Sequence, residues 1–229
     1  MAAVDARSEF EPRLDLLLAE VDTAPGGIAG LDRIRAKRWA VLGMDGLALS
    51  LLGTGRPELV WWRDEGCDPA GWEDAQYLVG EGPTADAAVS GCPVVVGDVQ
   101  GEAQRRWPVL LADARARGRV RAVVAVPIVL AGTVIGVLAG QRLRPGPVDP
   151  DRVRAVRAVA EAIGGLVVRS PGEVPPLHRA VVHQAAGAVA VLTGLPMEAA
   201  ADRVLAHLFA TGQELIRGSA RILQHPNVA

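Results

Sequence analysis

Three prolines and a glycine crowd the seven residues Ser170-Pro171-Gly172-Glu173-Val174-Pro175-Pro176, and no helix or strand runs through such a stretch. Each proline lacks the N–H that a helix or ladder requires and pushes its predecessor toward extended backbone. The 229-residue chain is thereby divided into a long N-terminal part and a short tail that begins near residue 178. A tail that short buries little surface and is marginal alone, whereas the part before it is ample for one core. Half of the chain is apolar but only 3% is aromatic, so that core must be built from Ala, Val and Leu around five Trp anchors.

A formal charge of −2 gives no global pull toward nucleic acid or membrane. Lys37 is the only lysine, so Arg carries almost all the positive charge. The two cysteines, Cys67 and Cys92, are too few for a disulfide framework. No basic stretch followed by an apolar run opens the chain. The apolar stretch 120–140 is broken by Arg121, Pro127, Gly132, Thr133 and Gly136 and reads as two strands rather than a membrane span. The expectation is a cytoplasmic protein with no membrane partner.

Ahead of the linker, apolar spacing predicts a helix over 4–22, closed by Pro25-Gly26-Gly27, and a second over 28–42 with Leu31, Ile34 and Val41 near one face. From Gly46 the period falls to two. Leu47, Leu49 and Leu51, a turn at Gly53-Thr54-Gly55-Arg56, and Leu59 to Trp62 make a hairpin. Residues 67–90 mix helix and loop, 93–96 are a short strand, and 103–117 are a helix carrying Trp107, Leu110, Leu111 and Ala114. Strands 120–129 and 134–139 meet across a tight turn at Ala131-Gly132, and Pro150 starts a long helix over 150–168. Hairpins at both ends of the strand set argue for an α+β fold, an antiparallel sheet flanked by helices, rather than a parallel dinucleotide-binding sheet.

Beyond the linker the pattern is wholly helical. Helices are expected over 178–193, closed by Gly194, and over 196–211. A third starts at Thr211-Gly212-Gln213-Glu214, which has capping-box spacing. The expected divisions are an N-terminal helix (1–27), the α+β domain (28–169), the linker (170–177) and a three-helix bundle (178–225).

Two stretches resemble known families. Gln76-Tyr77-Leu78-Val79-Gly80-Glu81-Gly82-Pro83, continuing through Asp86-Ala87 to Gly91-Cys92-Pro93-Val94 and then Asp98, resembles a segment of actinobacterial GAF domains. Val126-Pro127-Ile128 and Ile135-Gly136-Val137-Leu138 resemble the last two strands of that fold. The resemblance implies a sensor pocket for a small-molecule or protein signal, floored by the sheet and covered by 64–90 and 100–118. Trp62, Tyr77 and Asp98 are its candidate lining residues.

The tail carries Val182-His183-Gln184-Ala185-Ala186-Gly187, Val189-Ala190-Val191, Gly194, Glu198 to Ala200, Arg203, Ala206-His207 and Phe209-Ala210-Thr211-Gly212. It resembles an ANTAR domain, which implies a three-helix bundle that binds hairpins in nascent RNA and prevents transcription termination. Gln184, Arg203, His207 and Arg217 would then face RNA. The sequence departs from that family at Ala186, where a basic residue is common, and at Pro196, where a polar helix cap is common. Residues 175–229 carry a net charge of +1, a weak footprint for phosphate neutralisation.

Several residues have a bland reading beside the functional one. Gly187 in mid-helix reads first as a helix-packing glycine and second as a point of close approach to RNA. His178 and His183 have no partners at metal-ligand spacing, and neither a metal nor another cofactor is expected. Arg105, Arg106, Arg115, Arg117, Arg119 and Arg121 form the densest basic run, mostly a solvated face with a possible accessory RNA contact. Gly80-x-Gly82 lacks the lysine and the context of a phosphate loop. The leading expectation is a non-enzymatic, homodimeric, signal-responsive antiterminator. The alternatives are an interaction module that uses its bundle for dimerisation, and a GAF-fold methionine sulfoxide reductase using Cys67 and Cys92.

Overall fold

The computed structural model describes residues 2–53, 55–112, 120–170, 172–173 and 175–228. Five strands, β1 (Gly46–Leu51), β2 (Glu58–Asp64), β3 (Val94–Val96), β4 (Ala122–Leu130) and β5 (Thr133–Arg142), form one sheet in the order β2-β1-β5-β4-β3, antiparallel throughout. Ala131 and Gly132 have φ of 47° and 81°, the left-handed pair whose twist suits a two-residue hairpin. Alternation sends Leu47, Leu49, Val124, Val126, Ile128 and Leu138 to one face of the sheet. Ala48, Leu59, Val123, Ala125, Val137 and Ala139 go to the other. A register shift between Leu49 and Ser50 leaves both Val60 and Trp61 on the first face.

The helices are α1 (Ala2–Asp22), α2 (Ala36–Trp39), α3 (Pro69–Val79), α4 (Pro83–Ser90), α5 (Val99–Arg106), α6 (Pro108–Ala112), α7 (Pro150–Arg169), α8 (Ala180–Thr193), α9 (Met197–Ala210) and α10 (Leu215–Gln224). On the first face of the sheet, Leu14, Leu17 and Val21 of α1 and Val156, Val159 and Ile163 of α7 belong to one core, so the N-terminal helix is part of this layer. On the second face α3 to α6 bring in Trp72, Ala75, Ala87, Val99, Trp107 and Leu110. Among the described residues no single helix is long and apolar enough to cross a membrane.

Three elements differ from the sequence expectation. The single helix over 28–42 is instead a 3-10 segment (Gly27–Arg33), the one-turn α2 and a second 3-10 turn (Ala40–Leu42), with Ile34 extended between them. Breaking the helix buries Ile28, Leu31, Ile34, Trp39, Val41 and Leu42 together, more than one helical stripe can turn inward. Trp39 then meets Trp61 with ring centroids 5.3 Å apart, and Trp61 Nε1 donates to Asp32 Oδ1 at 2.7 Å. The helix over 103–117 breaks at Trp107-Pro108 into α5 and α6, as the restriction on a residue before proline requires. Its end at 113–117 lies outside the described residues, as do Arg115, Arg117 and Arg119.

The capping box at Thr211 does not form either. Gly212, at φ 66°, ends α9, Thr211 Oγ1 donates back to the His207 carbonyl, and α10 starts only at Leu215 behind an extended Glu214. Within the bundle the packing glycine is Gly218 rather than Gly187. A Cβ on Gly218 would sit 2.3 Å from Leu208 Cδ2, whereas one on Gly187 would meet nothing within 4 Å. Gly187→Ala is therefore expected to raise stability by about 0.5–1 kcal/mol through the helix-propensity gain alone. Gly218→Ala forfeits that gain to the clash. Urea midpoints of the two variants check this, and a destabilised Gly187→Ala would refute the open-space reading.

Candidate functional site

Beneath α3, on the second face of the sheet, lies a buried polar network. The helix begins on Asp68, whose side chain accepts from Gly71 N at 3.1 Å, with Pro69 in its first turn, and ends at Gly80 with φ 74°. Its inner side carries Glu73 and Gln76. Glu73 Oε1 accepts three hydrogen bonds: from Gln76 Nε2 at 3.0 Å, Thr84 Oγ1 at 3.1 Å and Gln141 Nε2 at 3.3 Å. Gln76 Oε1 accepts from Thr84 N at 2.9 Å, and Cys67 Sγ donates to Gln141 Oε1 at 3.7 Å. Glu73 is only 3% exposed. Burial pushes its carboxyl up to about 7, against the lowering pull of the Thr84 hydrogen bond and the Arg179 charge. Glu73, Gln76 and Thr84 form the polar side of a cleft of about 400 Å³, walled also by Leu52, Arg56, Pro57, Tyr77, Ala85 and Ala88.

The Gly80-Glu81-Gly82-Pro83 run builds this arrangement residue by residue. Gly80 closes α3, and Pro83 occupies the first turn of α4. Glu81 Oε2 accepts from the amides of Val109 and Leu110, anchoring α6. At Gly82 the backbone is at φ 142°, and a Cβ would lie 2.2 Å from Gln76 Oε1. Gly82→Ala combines a disfavoured backbone with a clash in a packed network, so a loss of about 2 kcal/mol or more is expected. The urea midpoint measures it, and a loss well under 1 kcal/mol would show that the network yields easily.

The outer side of α3 holds the three-helix bundle. Arg179, 1% exposed, donates from Nε to Asp74 Oδ1 at 2.9 Å and from Nη1 to the Pro57 carbonyl at 3.0 Å. Its guanidinium lies 4.3 Å from the Tyr77 ring centroid. His178 Nε2 meets Asp74 Oδ2 at 2.9 Å and packs edge-on to Trp62, while His183 Nε2 meets Glu58 Oε1 at 2.8 Å. Leu78 is inserted into the bundle core beside Val182, Ala185, Val204 and Leu208. A second cleft, about 710 Å³, separates α3 from α10 and is lined by Asp68, Trp72, Asp74, His178, Leu215 and Arg217 among others.

The sequence candidates scatter across this framework. Tyr77 lines the cleft over Glu73; Trp62 and Asp98 do not. Trp62 is exposed on β2 toward His178, and Asp98 caps α5 at Gln100 N and lies 3.7 Å from Arg121. Gln184, Arg203 and Arg217 are exposed and His207 is half-buried, with Arg217 Nε 3.2 Å from Glu214. Arg106 pairs with Asp86 at 3.0 Å rather than standing free. From the sequence, Glu73 and Asp74 read with Asp64, Glu65, Asp68 and Glu81 as an acidic stretch, a solvated loop on the pocket wall, whereas the structure puts them on α3 and buries Glu73; Arg179 carried no such signal. A further signal was the pair of glutamines, Gln76 and Gln141, on positions that apolar periodicity assigns to the interior.

Cys67 and Cys92 are both free and lie at opposite ends of the sheet. Cys67 touches Gln141 of β5, while a Cβ on Gly91, the neighbour of Cys92, would meet Val134, seven residues earlier on the same strand. At roughly 3.3 Å per residue that separation is about 20 Å, far beyond disulfide reach. Burial and the nearby Asp64 and Asp45 charges push the Cys67 thiol up to about 12.

A family model described as GAF domain matches residues 18–168. Among solved structures, the GAF domain of an Acinetobacter phosphoenolpyruvate-protein phosphotransferase is similar at 14% identity, covering 69% of this chain and 92% of its own, with a TM-score of 0.54. The corresponding GAF domain from Coxiella burnetii is similar at 17% identity, covering 70% of this chain and 94% of its own, with a TM-score of 0.53. A free methionine-R-sulfoxide reductase from Neisseria meningitidis, solved with its substrate, is similar at 20% identity, covering 70% of this chain and 89% of its own, with a TM-score of 0.52. At these identities the likeness is one of fold. Comparison with curated proteins finds no match.

Proposed function

Because this chain belongs to the GAF domain family through residues 18–168, we propose that it is a signal-responsive regulator whose sensor controls the α8–α10 bundle as its output. The output we infer is binding to hairpins in nascent RNA and prevention of termination, supported by the ANTAR-like residues across 178–224. The observation that carries the coupling is the two-sidedness of α3. Glu73 and Gln76 on one side line the cleft, Asp74 and Leu78 on the other hold the bundle, and Tyr77 between them lines the cleft while its ring meets Arg179 of the bundle. A signal that binds the two placements of α3 unequally shifts the bundle with it, and no continuous helix through the proline-rich linker is needed. This route also needs no second copy of the chain. The distance between Cys67 and Cys92 favours a regulator over a two-cysteine redox enzyme.

In vitro selection of RNA by the purified full chain tests the output. The expected result is a hairpin family whose affinity falls steeply with salt. If no RNA emerges above non-specific background, the antiterminator reading fails. A second reading, the bundle as a protein-interaction or dimerisation element, is favoured by its surface. Val191 is 86% exposed, with Leu192, Met197 and Phe209 also exposed. Once Arg179 is buried, the remaining tail arginines 203, 217 and 221 only balance Glu198, Asp202 and Glu214.

A further inference from the structure

The geometry points to a small ligand carrying a protonated amine on a short apolar stem as the signal, seated in the cleft between α3 and α4 with its ammonium on Glu73 Oε2. This inference rests on residues 18–168 being a sensor. All three hydrogen bonds to Glu73 arrive at Oε1, from Gln76, Thr84 and Gln141, and among the described residues Oε2 has no partner. With Glu73 only 3% exposed, little water reaches that oxygen in place of a protein donor. Glu73 belongs to the lining of the cleft, so the oxygen that the protein leaves unpaired is the one a ligand can reach.

The walls select the rest of the molecule. Leu52, Pro57, Ala85 and Ala88 are apolar, which suits a short alkyl stem. Arg56 is the one cation on the lining, and it is already engaged. It donates to the carbonyls of Tyr77 and Leu78 at the end of α3 and lies 3.9 Å from Asp202 of the bundle. It makes no ion pair with Glu73, the carboxylate on the same lining, among the described residues. An amine supplies what the network lacks: a positive charge and a donor at Oε2. A neutral alcohol of the same shape supplies the donor without the charge. The upward displacement of the Glu73 carboxyl is the cost that such a cation would reverse.

The test uses n-butylammonium chloride and n-butanol as probes on the full chain without RNA, at pH 8. The Glu73 side-chain carboxyl is followed by carbon-13 NMR through a pH titration, assigned by its absence in Glu73→Gln. Saturating butylammonium is expected to lower the Glu73 pKa by about one unit or more, as an opposite charge in contact does. It should also shift the Thr84 and Gln76 amides, while butanol does neither. Glu73→Gln should abolish the amide shifts. Equal responses to amine and alcohol, an unchanged Glu73 titration in the wild type, or amide shifts that persist in Glu73→Gln overturn the inference. The titration needs no variant to fold. Because RNA is absent, failure here leaves the RNA selection standing, and failure of the selection leaves amine binding intact.

Discussion

Arg179→Ala is expected to release the α8–α10 bundle from the sensor while leaving the sheet and α7 folded. The guanidinium is buried against Asp74, the Pro57 carbonyl and the Tyr77 ring, so truncation removes two hydrogen bonds and a ring contact at once. It also leaves the Asp74 carboxylate, half enclosed by the bundle, with His178 as its remaining partner. Deleting one member of a buried ion pair typically costs about 3–5 kcal/mol. A bundle of three short helices has little stability of its own to set against that. Hydrogen exchange followed by mass spectrometry reads the result. Amides of α8 to α10 should lose protection by two orders of magnitude or more, the factor that about 3 kcal/mol sets, while those of β4, β5 and α7 keep theirs. Unchanged protection in α8 to α10 would mean that Leu78 and its apolar neighbours alone hold the bundle. In the antiterminator reading the same variant changes RNA affinity in the absence of any signal.

The second large effect is on the pH dependence of stability. Glu73 titrates near 4.5 when unfolded and near 7 when folded, because burial disfavours its charged form. Between those values the native state holds a proton that the unfolded chain has released. The stabilisation from this group is complete below 4.5 and is lost as pH rises through 7, a change of roughly 3 kcal/mol for a shift of that size. Arg179 and the Asp74 charge act on Glu73 in opposite directions and are retained in the comparison that isolates it. Glu73→Gln keeps the shape and the acceptor for Gln76, Thr84 and Gln141 but cannot ionise. Urea unfolding from pH 5 to 8.5 should show the wild type weakening toward alkaline pH relative to the variant. Parallel curves for the two proteins would falsify the assignment of that slope to Glu73.

The sheet was legible in the sequence because period-two alternation and turn chemistry act over a few residues. Leu47 to Leu51, Leu59 to Trp62 and the Ala131-Gly132 turn all lie where local pattern put them. The failures share one cause, tertiary packing that local spacing does not encode. Residues 28–42 give up a helix so that Trp39 can reach Trp61, and Thr211 serves the end of α9 instead of the start of α10. Proline at 108 was readable as a break and was outweighed by the apolar spacing around it. The Gly80–Pro83 run was found as a motif, yet its purpose, to seat Gln76 and Thr84 on Glu73, depends on a helix two turns away. Arg179 looked like one more arginine in an arginine-rich chain, and only its placement against Asp74 and Tyr77 sets it apart.

The sheet order places β2 at an edge, and the bundle meets that edge at Glu58 and Trp62. A strand with one side unpaired is a template for another chain, and β2 carries Leu59-Val60-Trp61-Trp62 in its middle. Lifting the bundle away would remove His178 from the already exposed Trp62 and His183 from Glu58 in the same motion. In the proposed regulator, whatever moves the tail therefore also changes how much of this sheet edge is open to solvent.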